Sequence, residues 1–169
     1  LLGHSEQYVA SVECKALLFN TASLAAGAAI MAARQALHGE EPMFACLRPP
    51  GHHASRSSAW GHCTFSNLAL ALLNLRDAGL IRSAFVVDFD QHTGDGTQDV
   101  FWNDPHTLFI SLHQDGRTLY PGTGFLKECG GPGALGRTVN IPLPPGTGDE
   151  GYLYVTKNVV LPLLEAFKP

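Results

Sequence analysis

The stretch "VVDFDQHTGDGTQ", residues 86–98, decides how this chain is read. Phe85, Val86 and Val87 have the apolar, partly β-branched character of a strand. Asp88, Asp90, His92 and Asp95 follow, with glycines at 94 and 96. In an extended chain residues i, i+2 and i+4 share a face, so Asp88, Asp90 and His92 can be aimed the same way. Carboxylate oxygen and imidazole nitrogen suit Zn2+ or Fe2+, and the spare acids Asp88 and Asp95 suit the orientation of histidines around a metal. A polar Asp/Gly turn, with Asp95 capping the next helix, explains the same letters. Spacing leaves the two readings level, because two protein ligands do not make a zinc site.

Outward from this stretch, helices and strands alternate. The apolar run 83–89 is expected to be a strand covered on both faces. A short helix follows near 97–102, then strands over 107–112 and 137–143 flank a Gly-rich loop at 114–137. Asp149 is placed to cap a last helix running to Phe167, kinked at Pro162. Upstream, the Ala-rich segment 21–38 reads as a helix stopped by Gly39. Residues 43–47 read as a short strand, and 48–63, rich in Pro, Gly and Ser, as a long loop. Ser66 is placed to cap a helix over 67–78 that Gly79 ends. The order implies an α/β fold, a mostly parallel sheet with helices on both faces, binding its ligand beyond the carboxyl ends of the strands.

The chain has 169 residues, 45% hydrophobic and 15% charged, which suits one globular domain. A net charge of −4 gives no general attraction to nucleic acid or anionic membrane. The expectation is no apolar run of the roughly 18–20 residues that span a bilayer, no signal-peptide pattern, and hence no membrane partner. Cys14, Cys46, Cys63 and Cys129 form no C-x-x-C pair. That speaks against a zinc knuckle or a disulfide framework and for a reducing, cytoplasmic setting. There is no phosphate-binding G-K-[ST] ending and no G-x-S-x-G elbow.

Five of the eight histidines fall in loops after expected strands: His52, His53, His62, His92 and His113. His4, His38 and His106 have no such context. A "GHH" pair in a Gly/Pro loop is more often a hydrogen-bonded pair than a functional one. Beside a metal it gains a role, one imidazole taking a proton from water and the other protonating a leaving group. Each then needs a carboxylate to set its tautomer. Tyr120 reads as structural or as lining a pocket, and Arg48 as solvated or paired with a carboxylate.

Taken together, "RPPGHHA", "WGHCTFSN", "VVDFDQHTGDGTQDVF", "FISLH", "YPGTG" and "NIPLPPGTGDEGY" resemble, in order, the zinc-dependent histone deacetylase superfamily, which includes acetylpolyamine amidohydrolases and acetoin-utilisation-type proteins. The resemblance implies an arginase/deacetylase-like fold and hydrolysis of acetyl-lysine or of small acetylated polyamine-type amines. It implies that His52 and His53 flank the attacking water, with His53 as base and acid. Asp90 and His92 are then two zinc ligands, the third being expected beyond Pro169, and Asp88 and Asp95 are the acids behind His52 and His53. Gly61, His62 and Tyr120 line the substrate tunnel. A potassium ion is implied near Asp88, Asp90, His92, Ser111 and Leu112. The metal is Zn2+, with Fe2+ as the alternative in vivo.

The departures are specific. His62 stands where the family usually has an aromatic residue, Tyr120 where it usually has Phe, and Thr93 where many relatives have a second His, so the implied tunnel is more polar. Glu13 is a weak candidate for the acidic rim residue. Residues 1–169 match the central part of one catalytic domain, which implies a fragment of weak or no activity by itself. The competing reading is a non-catalytic remnant that binds or dimerises, as a homo-oligomer, through an exposed sheet edge. A two-metal hydrolase of the arginase type is disfavoured by "PPGHHA".

Overall fold

The computed structural model describes residues 12–39 and 41–169. His4 and the side chain of Glu13 lie outside the described residues. The chain divides into two compact units, residues 1–81 and 82–169.

The first unit pairs two helices, α1 (Val12–His38) and α2 (Asn67–Asp77). Helix α1 starts nine residues before the expected Thr21, since nothing in that stretch stops a helix. It buries Ala22, Ala25 and Ala26, the i, i+3, i+4 stripe of an amphipathic helix. Helix α2 buries Asn67, Ala69, Ala71 and Leu75. Arg34 ties the two together, its Nε and Nη2 donating to Asn74 Oδ1 at 3.1 and 2.8 Å. Gly79, at φ +69°, ends α2 in the left-handed conformation that lets Leu80 N reach Leu75 O. The expected Ser66 cap is absent: its hydroxyl makes no capping bond, and only its carbonyl enters the helix, accepting from Leu70 N at 2.9 Å.

Two further expectations are corrected here. Residues 43–47 form no strand: among the described residues no segment pairs with them. Their side chains still alternate. Met43, Ala45 and Leu47 line a groove of about 320 Å3 with alanines of α1 and α2, and Phe44 and Cys46 are exposed. The second correction concerns α1. Residues 16–33 carry no charge, and Cys14–His38 is long and apolar enough to cross a membrane by length and composition. A helix that packs in a soluble domain passes the same test.

The second unit is a parallel sheet in the order β1 (Ala84–Asp88), β2 (Thr107–Gln114), β3 (Thr138–Leu143). Asp88 pairs with Ser111, and Ser111 with Asn140, so these three form one row across the sheet near its carboxyl end. Helix α3 (Asp95–Phe101) follows β1. Helix α4 (Asp149–Val155) continues through a π-helical stretch (Thr156–Val160) into α5 (Leu161–Phe167). The π turn lies just before Pro162, which lacks an N–H and cannot continue a regular ladder. Asn158 Nδ2 takes the Tyr154 carbonyl at 2.7 Å there. Gly148 and Gly94, not Asp149 and Asp95, hold the cap positions, and the two acids open the first turns instead, where they complement the helix dipole.

Strand β2 is the buried one, from Thr107 through His113. Strand β1 is an edge of the described sheet and leaves Val87 exposed, with Phe89 exposed just beyond its end, contrary to the expectation of cover on both faces. Alternation along β2 sorts its two faces. Leu108, Ile110 and Leu112 join Val160 in the core, with Phe85, Val139, Ile141, Tyr152, Val155, Leu163 and Phe167 packed against them. Arg137 caps this face, its guanidinium 4.9 Å above the Phe167 ring. The other face carries Thr107, Phe109, Ser111 and His113.

Ile110 is wholly buried in this cluster. Ile110→Ala is therefore expected to lower unfolding free energy by about 2–5 kcal/mol. Urea denaturation checks this; a loss below about 1 kcal/mol would place the core elsewhere.

Candidate functional site

At the end of β1 the chain does not stay extended, as the even spacing had suggested. It bends, and the acids make the bend. Asp88 Oδ1 accepts Asp90 N at 3.1 Å, and Asp90 Oδ1 accepts His92 N at 2.7 Å. Each aspartate thus takes the amide two residues on, the Asx-turn preference of this side chain. The same turn brings His92 Nδ1 to 2.9 Å from Asp90 Oδ1. A carboxylate only accepts, so Nδ1 carries the proton in this pairing.

Behind the turn the backbone comes very close. A Cβ on Gly94 would lie 2.2 Å from Asp88 Oδ2, so only glycine fits. Gly94 N points at Ser111 Oγ at 3.5 Å. Ser111 Oγ lies 2.8 Å from His113 Nδ1, and His113 Nε2 lies 2.9 Å from the Gly124 carbonyl. The carbonyl can only accept, so Nε2 carries the proton and Nδ1 accepts from the Ser111 hydroxyl. His113 is wholly buried, and burial pushes its pKa below the ordinary 6.5 against the pull of the Gly124 carbonyl and the Asp88 charge. Gly124 has φ +82°, and a Cβ there would sit 2.1 Å from Thr93 Oγ1 and 2.5 Å from His113 Nε2. Thr93 is buried, its hydroxyl donating to Thr123 O at 3.3 Å.

Tyr120 stands edge-on to His92, ring centres 5.8 Å apart at 74°. The loop leading to it is folded by Asp115, which accepts Arg117 N at 2.9 Å and pairs with the Arg117 guanidinium, holding the carboxyl down to about 2. Tyr152 is pushed above 10 by burial and then by the charge of Asp90, so Asp90 is felt at the helix over the sheet. Leu112 sends its side chain into the core and offers only its carbonyl.

In the first unit, the loop 48–66 holds the paired histidines. A Cβ on Gly51 would meet Asn67 N at 2.6 Å and Phe65 O at 2.8 Å, and Asn67 Nδ2 donates to Pro49 O at 3.0 Å. The "PPGHHA" loop is therefore pinned to the start of α2. The His52 and His53 rings lie 4.0 Å apart, tilted by 44°, with His53 buried and Trp60 at 6.4 Å. His53 N donates to Cys63 Sγ at 3.3 Å, and the thiol reaches Gly61 O at 3.5 Å. Cys63 N closes a turn on Trp60 O at 2.8 Å. Gly61 (φ +57°) and His62 (φ +64°) are its central residues, both left-handed as in a type I′ turn.

Within the second unit, Asp88, Asp90, His92, Ser111 and Tyr120 come together, and Asp95 opens the helix behind them. Within the first, His52, His53, Gly61 and His62 share one loop. Among the described residues no group of three or more His, Cys, Asp and Glu is placed to hold a metal ion. The donors present fit two positions of such a site. At a tetrahedral metal with bonds of about 2.0 Å, neighbouring donors stand about 3.3 Å apart, and Asp90 Oδ1 and His92 Nδ1 stand at 2.9 Å. His113, expected in a loop after a strand, lies buried within β2 instead, and its scaffolding role, like the Cys63 link to His53, was not read from the sequence.

The Histone deacetylase domain family model matches residues 3–169. The "Probable deacetylase" of Archaeoglobus fulgidus is 45% identical over 98% of this chain and 50% of its own length. "Histone deacetylase 14, chloroplastic" of Arabidopsis thaliana is 42% identical over 75% of this chain and 29% of its own. Among solved structures, the HDA15 HD domain superposes with a TM-score of 0.84 at 40% identity, over 88% of this chain and 43% of that one. An acetylpolyamine aminohydrolase from Burkholderia pseudomallei gives 0.80 at 34% identity, over 86% of this chain and 42% of that one. The chain thus spans half or less of the length of these relatives.

Two outcomes follow from the His113 contacts. The unfolded chain takes up a proton near 6.5 and the buried ring resists it, so this group withdraws stability as pH falls below that value. Urea midpoints are expected to drop between about pH 7.5 and about pH 5.5, with a flatter dependence in His113→Asn. Gly124→Ala forces both a strained φ and a clash, and is expected to cost roughly 1–3 kcal/mol or more by the same measurement.

Proposed function

The chain belongs to the histone deacetylase domain family, and on that premise we propose that the protein is a zinc-dependent amidohydrolase cleaving acetyl groups from acetyl-lysine or acetylated polyamine-type amines. The observation that carries this is the Asp90–His92 pair, an oxygen and a nitrogen donor side by side in the turn that follows β1. Asp90 and His92 would hold the metal, His92 through Nδ1 with its proton on Nε2, alongside a third carboxylate expected after Pro169 from the resemblance. Bound there, zinc supplies Lewis acidity toward the amide carbonyl and toward water; Fe2+ accepts the same donors. A potassium ion is assigned to Asp88, Asp90, His92, Ser111 and the Leu112 carbonyl.

The chain's own residues move the proton. His53, buried and fixed at its backbone by Cys63, accepts it from the attacking water as the C–O bond forms. It returns the proton to the amine nitrogen as the C–N bond breaks, and acetate and free amine leave. His52 lies against it, and by the family resemblance Asp88 and Asp95 would be the acids that set the tautomers of His52 and His53. Gly61 in its left-handed turn, His62 and Tyr120 guide the acyl chain. An imidazole and a phenol there favour a substrate with polar groups along its length, such as an acetylated polyamine.

The full-length protein, with acetyl-lysine peptides and acetylated polyamines, provides the test. Asp90→Ala is expected to abolish stoichiometric zinc binding. His53→Ala should keep the metal and lower kcat by about 10²–10⁴-fold. Retained zinc in Asp90→Ala, or unchanged turnover in His53→Ala, sinks the respective assignment.

A further inference from the structure

Glu128 lies in the loop after "YPGTG", carries no motif, and its carboxylate accepts three hydrogen bonds. Its Oε2 accepts Gln98 Nε2 at 2.8 Å and Gly124 N at 3.2 Å, and its Oε1 accepts Phe125 N at 3.1 Å. Its backbone is held too: Glu128 N donates to Phe125 O at 2.8 Å, and Glu128 O accepts Asn140 Nδ2 at 3.0 Å. Asn140 Nδ2 also donates to Gln98 Oε1 at 2.7 Å, which fixes the orientation of that buried amide. One residue thus joins α3, β3 and the 120–128 loop. All three partners of its side chain are donors, which suits a carboxylate and nothing else of that shape.

The contacts continue toward the Asp–His turn. Gly124, whose N–H Glu128 holds, presents its carbonyl to His113 Nε2. His113 takes the Ser111 hydroxyl, and Ser111 stands opposite Asp88 in the sheet. At the other end of the loop, Tyr120 rests against His92. We infer that Glu128 is a positioning residue. By clamping Gly124 and Phe125 it sets where Tyr120 meets His92 and where His113 and Ser111 support Asp88. It touches neither substrate nor metal. The assignment rests on reading Asp90 and His92 as metal donors only for its consequence in catalysis; the clamp itself is independent of that reading.

Glu128→Gln keeps the shape but supplies one acceptor oxygen for three donors and turns an amide N–H2 toward at least one of them. Glu128→Asp keeps both oxygens on a shorter stem. In the full-length protein, Glu128→Gln is expected to speed hydrogen exchange in residues 118–126 and also in 88–95, with the rest of the sheet unchanged. Zinc affinity, from chelator competition well below the unfolding temperature, should weaken about tenfold, the scale for supports behind metal ligands, and Glu128→Asp should recover part of both effects. Exchange that rises only at 124–128, or uniformly through the unit, overturns the positioning role, as does unchanged exchange at 88–95 in a second variant, Gln98→Ala. If the wild-type protein releases no acetate while exchange at 88–95 still responds, the proposed reaction falls and the clamp stands.

Discussion

His113 Nε2 sits 2.9 Å from the Gly124 carbonyl in a place closed to water, and burial favours its neutral ring. That single condition fixes the direction of the hydrogen bonds around it. With Nε2 committed as donor, Nδ1 must accept, so the Ser111 hydroxyl turns its proton inward. The lone pairs of Ser111 Oγ are left for the Gly94 amide, and Gly94 is seated where its bare Cα lies against Asp88. An imidazole that performs no chemistry therefore sets the floor of the turn that carries Asp90 and His92. The demand on Gly124 is the reciprocal one: it must bring its carbonyl so near the ring that no side chain fits.

What the sequence made legible was local. The Asp88–His92 turn, the paired histidines and the α/β alternation are patterns whose residues lie within a few positions of one another. Residues 43–47 show the limit. They read as a short strand, and the pairing that makes a strand depends on a neighbour those residues do not contain. Burial of β1 failed for the same reason, because an edge is a property of sheet order and not of a strand's own letters. Ser66 and Asp149 are good capping residues by type, yet Ser66 makes no side-chain cap bond at α2 and Gly148 holds the cap position of α4. His113, Gln98 and Asn140 were beyond reach. Their partners lie 11, 30 and 42 residues away, and a buried polar group gives no sign of its partner along the chain.

The Gly61–His62 turn shows how a loop fixes chemistry without a helix or strand. Two successive left-handed residues, closed by Cys63 N on Trp60 O, are tolerable for glycine and uncommon for histidine. His62 is exposed and gains nothing from packing in the core. What the strained backbone secures is the direction of the neighbouring groups. Gly61 O meets the Cys63 thiol, and that thiol accepts the His53 amide. The general base of the proposed reaction and the wall past which its substrate slides are thus held by one sulfur, so a change in the wall moves the base.

The polar turn over residues 86–98 also positions the two donors of the proposed metal site. The Asx turns that let the chain leave β1 are what bring a carboxylate oxygen to an imidazole nitrogen. In this form a proton lies between them and satisfies both. A divalent cation held by the same two atoms would need the Nδ1 lone pair, which the ring supplies by carrying its proton on Nε2 instead. The backbone turn is held by Asp88, Gly94 and the row through Ser111. A metal in the proposed site would meet donors already side by side, the entropy of ordering them having been met by folding of the turn itself.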